Sequence, residues 1–344
     1  MKKNEQNQRR LVGIGGGGGI SQILLGAHPH FAHLTAIVGV TDTGRSTGIA
    51  RALANMPAPG DLRNTLARLA RDPNDLFPTL IQHRFHSEAV PSLEGMAFGN
   101  LLIAALTEVT GDFARAVEIV AELVACPHQV LPVSVIDTNL CAELEDGCIM
   151  QDELAVRGLN KAPIRRLFLA NPDAVAYPPV IQALGQADVI VLGPGSFFTS
   201  VMATLLFQGV CEALQQTAAT IVFICNTTTQ PGQTDDFRVV DHVERLVELV
   251  GRGVIDVVLV NRSEDVSPAI LEQYAADGVH LLQPDDEEIA RIAALGVRPV
   301  VRDYAHVTEG RRKLWNKQDT IRHDPARVGE TLWEVVTGYD KEFA

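Results

Sequence analysis

The stretch Leu11-Val12-Gly13-Ile14-Gly15-Gly16-Gly17-Gly18-Gly19-Ile20-Ser21 sets the reading of the whole chain. A short buried-type strand over residues 11–14 runs into five consecutive glycines, and a helix-like segment continues to about Gly26. Such a run is expensive in chain entropy, so something must require it. With no Cβ in the way the backbone can approach a ligand, and amides at a helix start favour phosphate or pyrophosphate. A tight strand-to-helix crossover without a ligand is the alternative reading.

Working outward, the alternation repeats. Residues 34–40, 189–192, 220–225 and 255–260 read as strands rich in β-branched residues. Helical patterns cover 61 onward, 98–108, 112–124, 197–215, 241–250 and 267–276. This spacing predicts an α/β fold, a doubly wound, mostly parallel sheet with helices on both faces. Residues 41–60 read as a long polar connection containing Pro and Gly, of the kind that is usually functional or mobile. Residues 130–169 read as an inserted antiparallel, β-containing excursion with Gly147 and Gly158 at turns. One domain is expected over 11–338, after a solvated, disordered tail at 1–10 holding Lys2, Lys3, Arg9 and Arg10.

Composition narrows the function classes. The 344 residues are 46% hydrophobic and 21% charged, enough for a large core. A net charge of −13 argues against a nucleic-acid binder, which needs a basic face to displace counterions. Residues 189–211 lack charge and could pass for a membrane span. Gly193-Pro194-Gly195 interrupts them, so strand, turn and helix fit better and no membrane partner is expected. No secretory signal follows the tail. Five cysteines, at 126, 141, 148, 211 and 225, form no CxxC pair, which suits reduced thiols and a cytoplasmic location. Helices 98–108 and 112–124 are apolar enough to pair with a second subunit, so a homo-oligomer is expected.

In doubly wound sheets ligands sit beyond the C-terminal strand ends. Those ends carry Gly15, Gly16, Gly17, Gly18 and Gly19, then 41–48, 193–200, 226–234 and Asn261-Arg262, mostly Gly, Ser, Thr, Asn and Gln. One polar rim is the simplest account. Gly13, Gly15 and Gly18 fit GxGxxG, but a glycine run meets that pattern easily, and the acid expected on a ribose could only be Asp42. There is no Walker A sequence, since Ile20 follows Gly19. Gly44-Arg45-Ser46-Thr47-Gly48 matches GxSxG, yet Ser46 lies several residues beyond the strand, which favours ligand contact over a nucleophile. Asp42 and Asp61 both face the rim. They suit a Mg²⁺ beside a phosphate, or equally a turn-forming Asp42 and an Asp61 that caps its helix. His28, His30 and His33 sit at the opposite end of the sheet and read as surface residues. Asp241 reads as an N-cap beside His242, and 285–288 as a solvated acidic helix start.

Taken in order, these segments resemble the YvcK/CofD-like family. The resemblance rests on the glycine run, Pro59-Gly60-Asp61-Leu62-Arg63-Asn64, Phe98-Gly99-Asn100-Leu101-Leu102, Gly193-Pro194-Gly195-Ser196 and Cys225-Asn226. Gln230-Pro231-Gly232-Gln233-Thr234, Asp241-His242 and Arg322-His323-Asp324-Pro325 complete it, from residue 11 to about 330. It implies a Rossmann-like fold with a nucleotide site and a phosphorylated, nucleotide-linked small molecule as partner. It also implies a gluconeogenesis factor, needed for growth on gluconeogenic carbon and for cell shape, that binds a UDP-sugar such as UDP-N-acetylglucosamine. The CofD branch implies instead a transferase moving a 2-phospholactate-type group to a deazaflavin precursor. Where the family usually has Ala-Asp-Asp-Gly-Gly-Ser-Ser-Gly-Arg, this chain has Thr41-Asp42-Thr43-Gly44-Arg45-Ser46-Thr47-Gly48-Ile49. Loss of the second acid leans towards binding over catalysis, and Arg45 adds a charge-assisted contact for phosphate. The glycine run would cradle the diphosphate, with Ser46, Thr47, Asn64, Asn100, Asn226 and Gln230 on polar groups, and Gly195 and Ser196 closing the rim.

Overall fold

The computed structural model describes residues 8–87, 89–263, 266–306 and 321–338, and its centre is a seven-stranded sheet. In chain order the strands are β1 (Arg10–Gly15), β2 (His33–Val38), β3 (Gln129–Pro132), β4 (Leu140–Leu144), β5 (Ile149–Met150) and β6 (Ile164–Leu169). Then follow β7 (Val189–Leu192), β8 (Thr220–Ile224), β9 (Val257–Asn261) and β10 (Arg298–Arg302). The main sheet runs β3-β2-β1-β7-β8-β9-β10 with every neighbouring pair parallel. The central strands β7 and β9 are buried at every position, as expected where helices cover both faces. The chain builds outward from β1 to β3, then returns to β1's other side and builds to β10. Loops leaving β1 and β7 therefore diverge and open a crevice between them. This is the Rossmann-like, doubly wound arrangement.

Three helices frame that crevice: α1 (Gly17–Ala27), α2 (Arg45–Ala54) and α3 (Gly60–Arg68). Behind α1 lies the Pro325–Thr337 helix, packed backbone against backbone. A Cβ on Gly26 would stand 1.9 Å from the Pro325 carbonyl oxygen, and one on Gly329 2.3 Å from that of Gly26.

The structure departs from the sequence reading in several places. Segment 41–60 contains α2, because its Pro and Gly cluster at 57–60 and leave an Ala-rich run free to coil. The antiparallel unit is only β4–β6, in the order β5-β4-β6. Residues 129–132 instead extend the main sheet as its edge strand, where Pro132 is tolerated. The helix expected over 197–215 breaks into a π-helical turn, Phe197–Met202, a short Ala203–Leu205 helix and Val210–Gln216, with Gly209 at φ 93° between the last two. Of the tail, residues 1–7 lie outside the described residues. Arg9 and Arg10 are not solvated tail: Arg10 pairs with His33 in the sheet, and the Arg9 guanidinium sits 5.7 Å from the Trp333 ring centroid. All five cysteines are free. No helix among the described residues is long and apolar enough to cross a membrane.

Candidate functional site

The glycine run is crowded at some positions and open at one. A Cβ on Gly17 would fall 2.3 Å from the Asp61 carbonyl oxygen, and one on Gly19 2.2 Å from that of Pro194. On Gly16 it would meet Ser200 Oγ at 2.6 Å, while Gly15 closes β1 beside the Gly193 Cα. The run thus lets the ends of β1, β7 and α3 interlock. Gly18 differs, with only Asn64 Nδ2, at 3.8 Å, in range. Gly16 caps α1 without a side-chain hydrogen bond, so the dipole end of α1 keeps no capping side chain from that residue.

Two cavities flank this helix start and meet at Ser196. The narrower, about 240 Å³, is lined by Gly18, Gly19, Gly195, Asn226 and Gln230, with Arg68, Thr227, Thr228, Arg322 and His323. Apart from Arg68 and Arg322, its polar side chains are amides, hydroxyls and a histidine, several of them held by short bonds. Asn226 Nδ2 donates to the Gly195 carbonyl at 2.7 Å, and Gln230 Oε1 accepts the Phe197 amide at 2.8 Å. Ser196 Oγ donates to Gln233 Oε1 at 2.9 Å and accepts from Thr199. His323 donates from Nε2 to the Cys225 carbonyl, and burial pushes its pKa down to about 4.

The wider cavity, about 570 Å³, falls within the roughly 300–1,000 Å³ usual for small-molecule sites. Asp42, Arg45, Ser46, Thr47 and Asp61 line it, as do Arg84, Glu153, Arg157 and Ser200. Asp42 forms the expected turn, its Oδ1 accepting the Gly44 amide at 2.8 Å. Asp61 does not cap its own helix, which starts at Gly60 behind Pro59. It lies one residue inside α3, beside the glycine run. Burial and then the Asp42 charge push its pKa up to about 6, against a hydrogen bond from the Gly17 amide. Glu153 rises to about 7, chiefly by burial, despite its ion pair with Arg157 at 2.9 Å. Arg63, buried behind Asp61, is pushed down to about 10 by burial and by Arg84.

Ser46 is buried in a framework role as well as lining the cavity. Its Oγ accepts the Ala97 amide at 2.9 Å and Asn100 Nδ2 at 3.0 Å. Asn100 lines neither cavity and acts through Ser46. Asn64 also lies outside both linings, its Oδ1 accepting from Gln82 at 2.9 Å and from Arg68 at 3.2 Å. Arg51 fastens α2 to the connection between β3 and β4 through Asp137 and Asn139, and reaches the Asp42 carbonyl at 3.3 Å. At Thr43, where the family pattern has its second acid, the hydroxyl accepts the Leu154 amide at 3.3 Å.

Other expectations change. Asp241 is not the N-cap: it sits in the first turn of the Val239–Val250 helix and its Oδ2 accepts the Arg238 amide. His242 is a core residue against Phe197 and Phe237, away from both cavities. Asp285 caps its helix, but Glu288 is buried and its Oε1 accepts the Val240 amide at 2.7 Å. His28 and His33 are exposed as expected, and His30 stacks on Trp333. Sequence reasoning missed Glu153 and Arg157. Their i, i+4 spacing in an otherwise unremarked segment was the only signal.

Comparison with known proteins agrees with this architecture. Residues 11–305 match the model of the family described as 2-phospho-L-lactate transferase CofD. A gluconeogenesis factor of Halalkalibacterium halodurans is 36% identical over 327 residues, 95% of this chain and 96% of that protein. The gluconeogenesis factor of Bacillus subtilis is 36% identical over 95% of this chain and 98% of its own. A crystal structure of a Bacillus halodurans protein superposes with TM-score 0.86 at 34% identity, covering 95% of this chain and 99% of that one. With matches of this extent in both sequence and fold, the chain belongs to the YvcK/CofD-like family, as a gluconeogenesis-factor homologue carrying a CofD domain.

Proposed function

We propose that the chain is a regulatory protein of carbon metabolism and cell shape that binds a nucleotide-sugar, with UDP-N-acetylglucosamine as the reference ligand. One observation carries this reading: the start of α1, with no side-chain cap, lies at the crevice between β1 and β7, where two polar cavities meet. A diphosphate over Gly18 and Gly19 is favoured by the helix dipole and by Arg68 and Arg322. The cavities on either side give room for the two ends of such a ligand.

A second reading, a Mg²⁺-dependent 2-phospholactate-type transferase, draws on the pairing of Asp42 with Asp61. Asp61 is held up by burial and by the charge of Asp42, which a cation would relieve. Among the described residues no three His, Cys, Asp or Glu side chains are grouped to hold a metal ion. The donor set therefore suits Mg²⁺ on one or two carboxylates plus a phosphate, not an all-protein cage. Bound there, Mg²⁺ would neutralise charge developing on a phosphoryl group. Asp42 would be fixed for that task by Gly44 and Arg51.

Isothermal titration with UDP-N-acetylglucosamine, GDP and NAD, each with and without Mg²⁺, separates the readings. Metal-independent UDP-sugar binding supports the regulatory protein. GDP binding that needs Mg²⁺ supports the transferase, and NAD binding alone contradicts both.

A further inference from the structure

Four side chains form one hydrogen-bonded line that ends at the narrow cavity. It begins at Arg63, which is buried and clasped by the start of the Phe98–Thr110 helix, where a Cβ on Gly99 would stand 2.7 Å from the Arg63 Cγ. Arg63 Nη1 donates to Gln82 Oε1 at 2.5 Å. Gln82 Nε2 donates to Asn64 Oδ1 at 2.9 Å, and Arg68 Nε, from the cavity wall, donates to the same oxygen at 3.2 Å. The order of donors along this line is forced. A guanidinium carries donors only, so Arg63 takes the oxygen of the Gln82 amide and leaves its nitrogen facing Asn64. Asn64 must then turn its own oxygen towards Gln82, where Arg68 meets it as well. The other end of the Asn64 amide is a donor, and it faces the glycine run. Its Nδ2 lies 3.8 Å from a Cβ built on Gly18, the open position. Were the amide reversed, an oxygen would face that position and repel an anion.

We propose that Gln82 is a positioning residue for anion binding: it passes the polarity of Arg63 to Asn64, so that an N–H and not a carbonyl oxygen faces the ligand beside Gly18. The same bond holds the acceptor that anchors Arg68. This rests on the reading above that a diphosphate lies over Gly18 and Gly19. Gln82 comes from the Leu76–Gln82 helix and lines neither cavity, so it acts only through Asn64. The segment Pro59–Asn64 thereby divides its work. Asp61 faces the wider cavity, Asn64 faces the glycine run, and Arg63 between them sets which end of the Asn64 amide is presented.

The test is a double-mutant cycle titrated with UDP-N-acetylglucosamine: wild type, Gln82→Glu, Asn64→Ala and the two together. Gln82→Glu keeps the bond to Arg63 but has no N–H for Asn64, whose amide should reverse. Affinity should fall about tenfold in Gln82→Glu and about fivefold in Asn64→Ala. Added to Asn64→Ala, Gln82→Glu should lower affinity by no more than about twofold, because the residue it acts through is gone. That comparison also removes any effect of the new charge acting directly on the ligand. If Gln82→Glu does not fold, Gln82→Met serves, with a loss of about threefold in the wild-type background and none beside Asn64→Ala. No loss in the wild-type background, or the same loss in both backgrounds, overturns the positioning role while leaving ligand binding intact. Wild type that does not bind UDP-N-acetylglucosamine overturns the nucleotide-sugar reading and the role of Gln82 with it.

Discussion

The two cavities that meet at Ser196 are built from different materials. The narrow one is made of backbone, amides and hydroxyls together with the cations Arg68 and Arg322; its buried His323 is held neutral, and Asn226 Oδ1 is buried without a hydrogen-bond partner. The wide one carries acids whose pKa values are pushed up by burial and by one another, and an acceptor with no partner. The first carries two cations and no carboxylate among its described lining residues. The second gathers carboxyls raised by burial beside Arg45, Arg84 and Arg157, and clustered titratable groups with perturbed pKa values are a mark of functional sites.

The sharpest way to break this contrast is at the glycines between the cavities. Gly19→Ala places a methyl against the Pro194 backbone and should lose about 3 kcal/mol of stability, read from denaturant unfolding. Gly18→Ala has open space and should be neutral or gain up to about 1 kcal/mol. Equal losses at both positions would remove the distinction between packing and ligand-facing glycines.

Acidification should separate the cavities next. The Asp61 pKa of about 6 exceeds its ordinary value of 3.8, so the folded state holds a proton that the unfolded chain releases between about 4 and 6. Stability from this group is therefore present at low pH and lost as pH rises through 6. At pH 7.5, Asp61→Asn should stabilise the protein by roughly 2–3 kcal/mol, with the gain vanishing near pH 4. His323 has the opposite sign. Its pKa falls from 6.5 to about 4, so its contribution is present above 6.5 and is lost as pH drops towards 4. His323→Asn should flatten the acid side of the stability curve by up to about 3 kcal/mol. A curve unchanged by either substitution would mean that the buried groups titrate normally.

The smallest effect is expected at the framework beneath the wide cavity. Ser46→Ala leaves the Ala97 amide and Asn100 Nδ2 without their acceptor and should lose about 1–2 kcal/mol, measured by thermal unfolding. Loss of ligand binding with stability unchanged would instead make Ser46 a direct contact.

Much of the sheet was legible because parallel strands leave long apolar runs: 189–192 was read to the residue, and 220–225 and 255–260 nearly so. Helix α2 was hidden by its Gly, Ser and Thr content, and its stability comes from tertiary ties such as those of Arg51, which no local pattern records. Strand β3 was misassigned because four residues carry no sign of their partner. Within the site, the strand-end rule picked out Gly18, Gly19, Gly195, Ser196, Asn226 and Gln230 along one cavity, and Asp42, Arg45, Ser46 and Thr47 along the other, where Asp61, read as a carboxylate facing the rim, joins them. It had no hold on Glu153, which arrives from an insertion outside the strand-end series.

Arg9 hydrogen-bonds the carbonyl of Val336 and lies against Trp333, so the two ends of the described chain are side by side, in the layer where the Pro325–Thr337 helix packs on α1. That adjacency makes the protein a candidate for circular permutation. A short linker would join the ends, and new termini could open at the exposed turn around Gly147, where nothing lies within 4 Å of an added Cβ. In such a permutant the half of the chain from β5 onward would precede β1 and its glycine run.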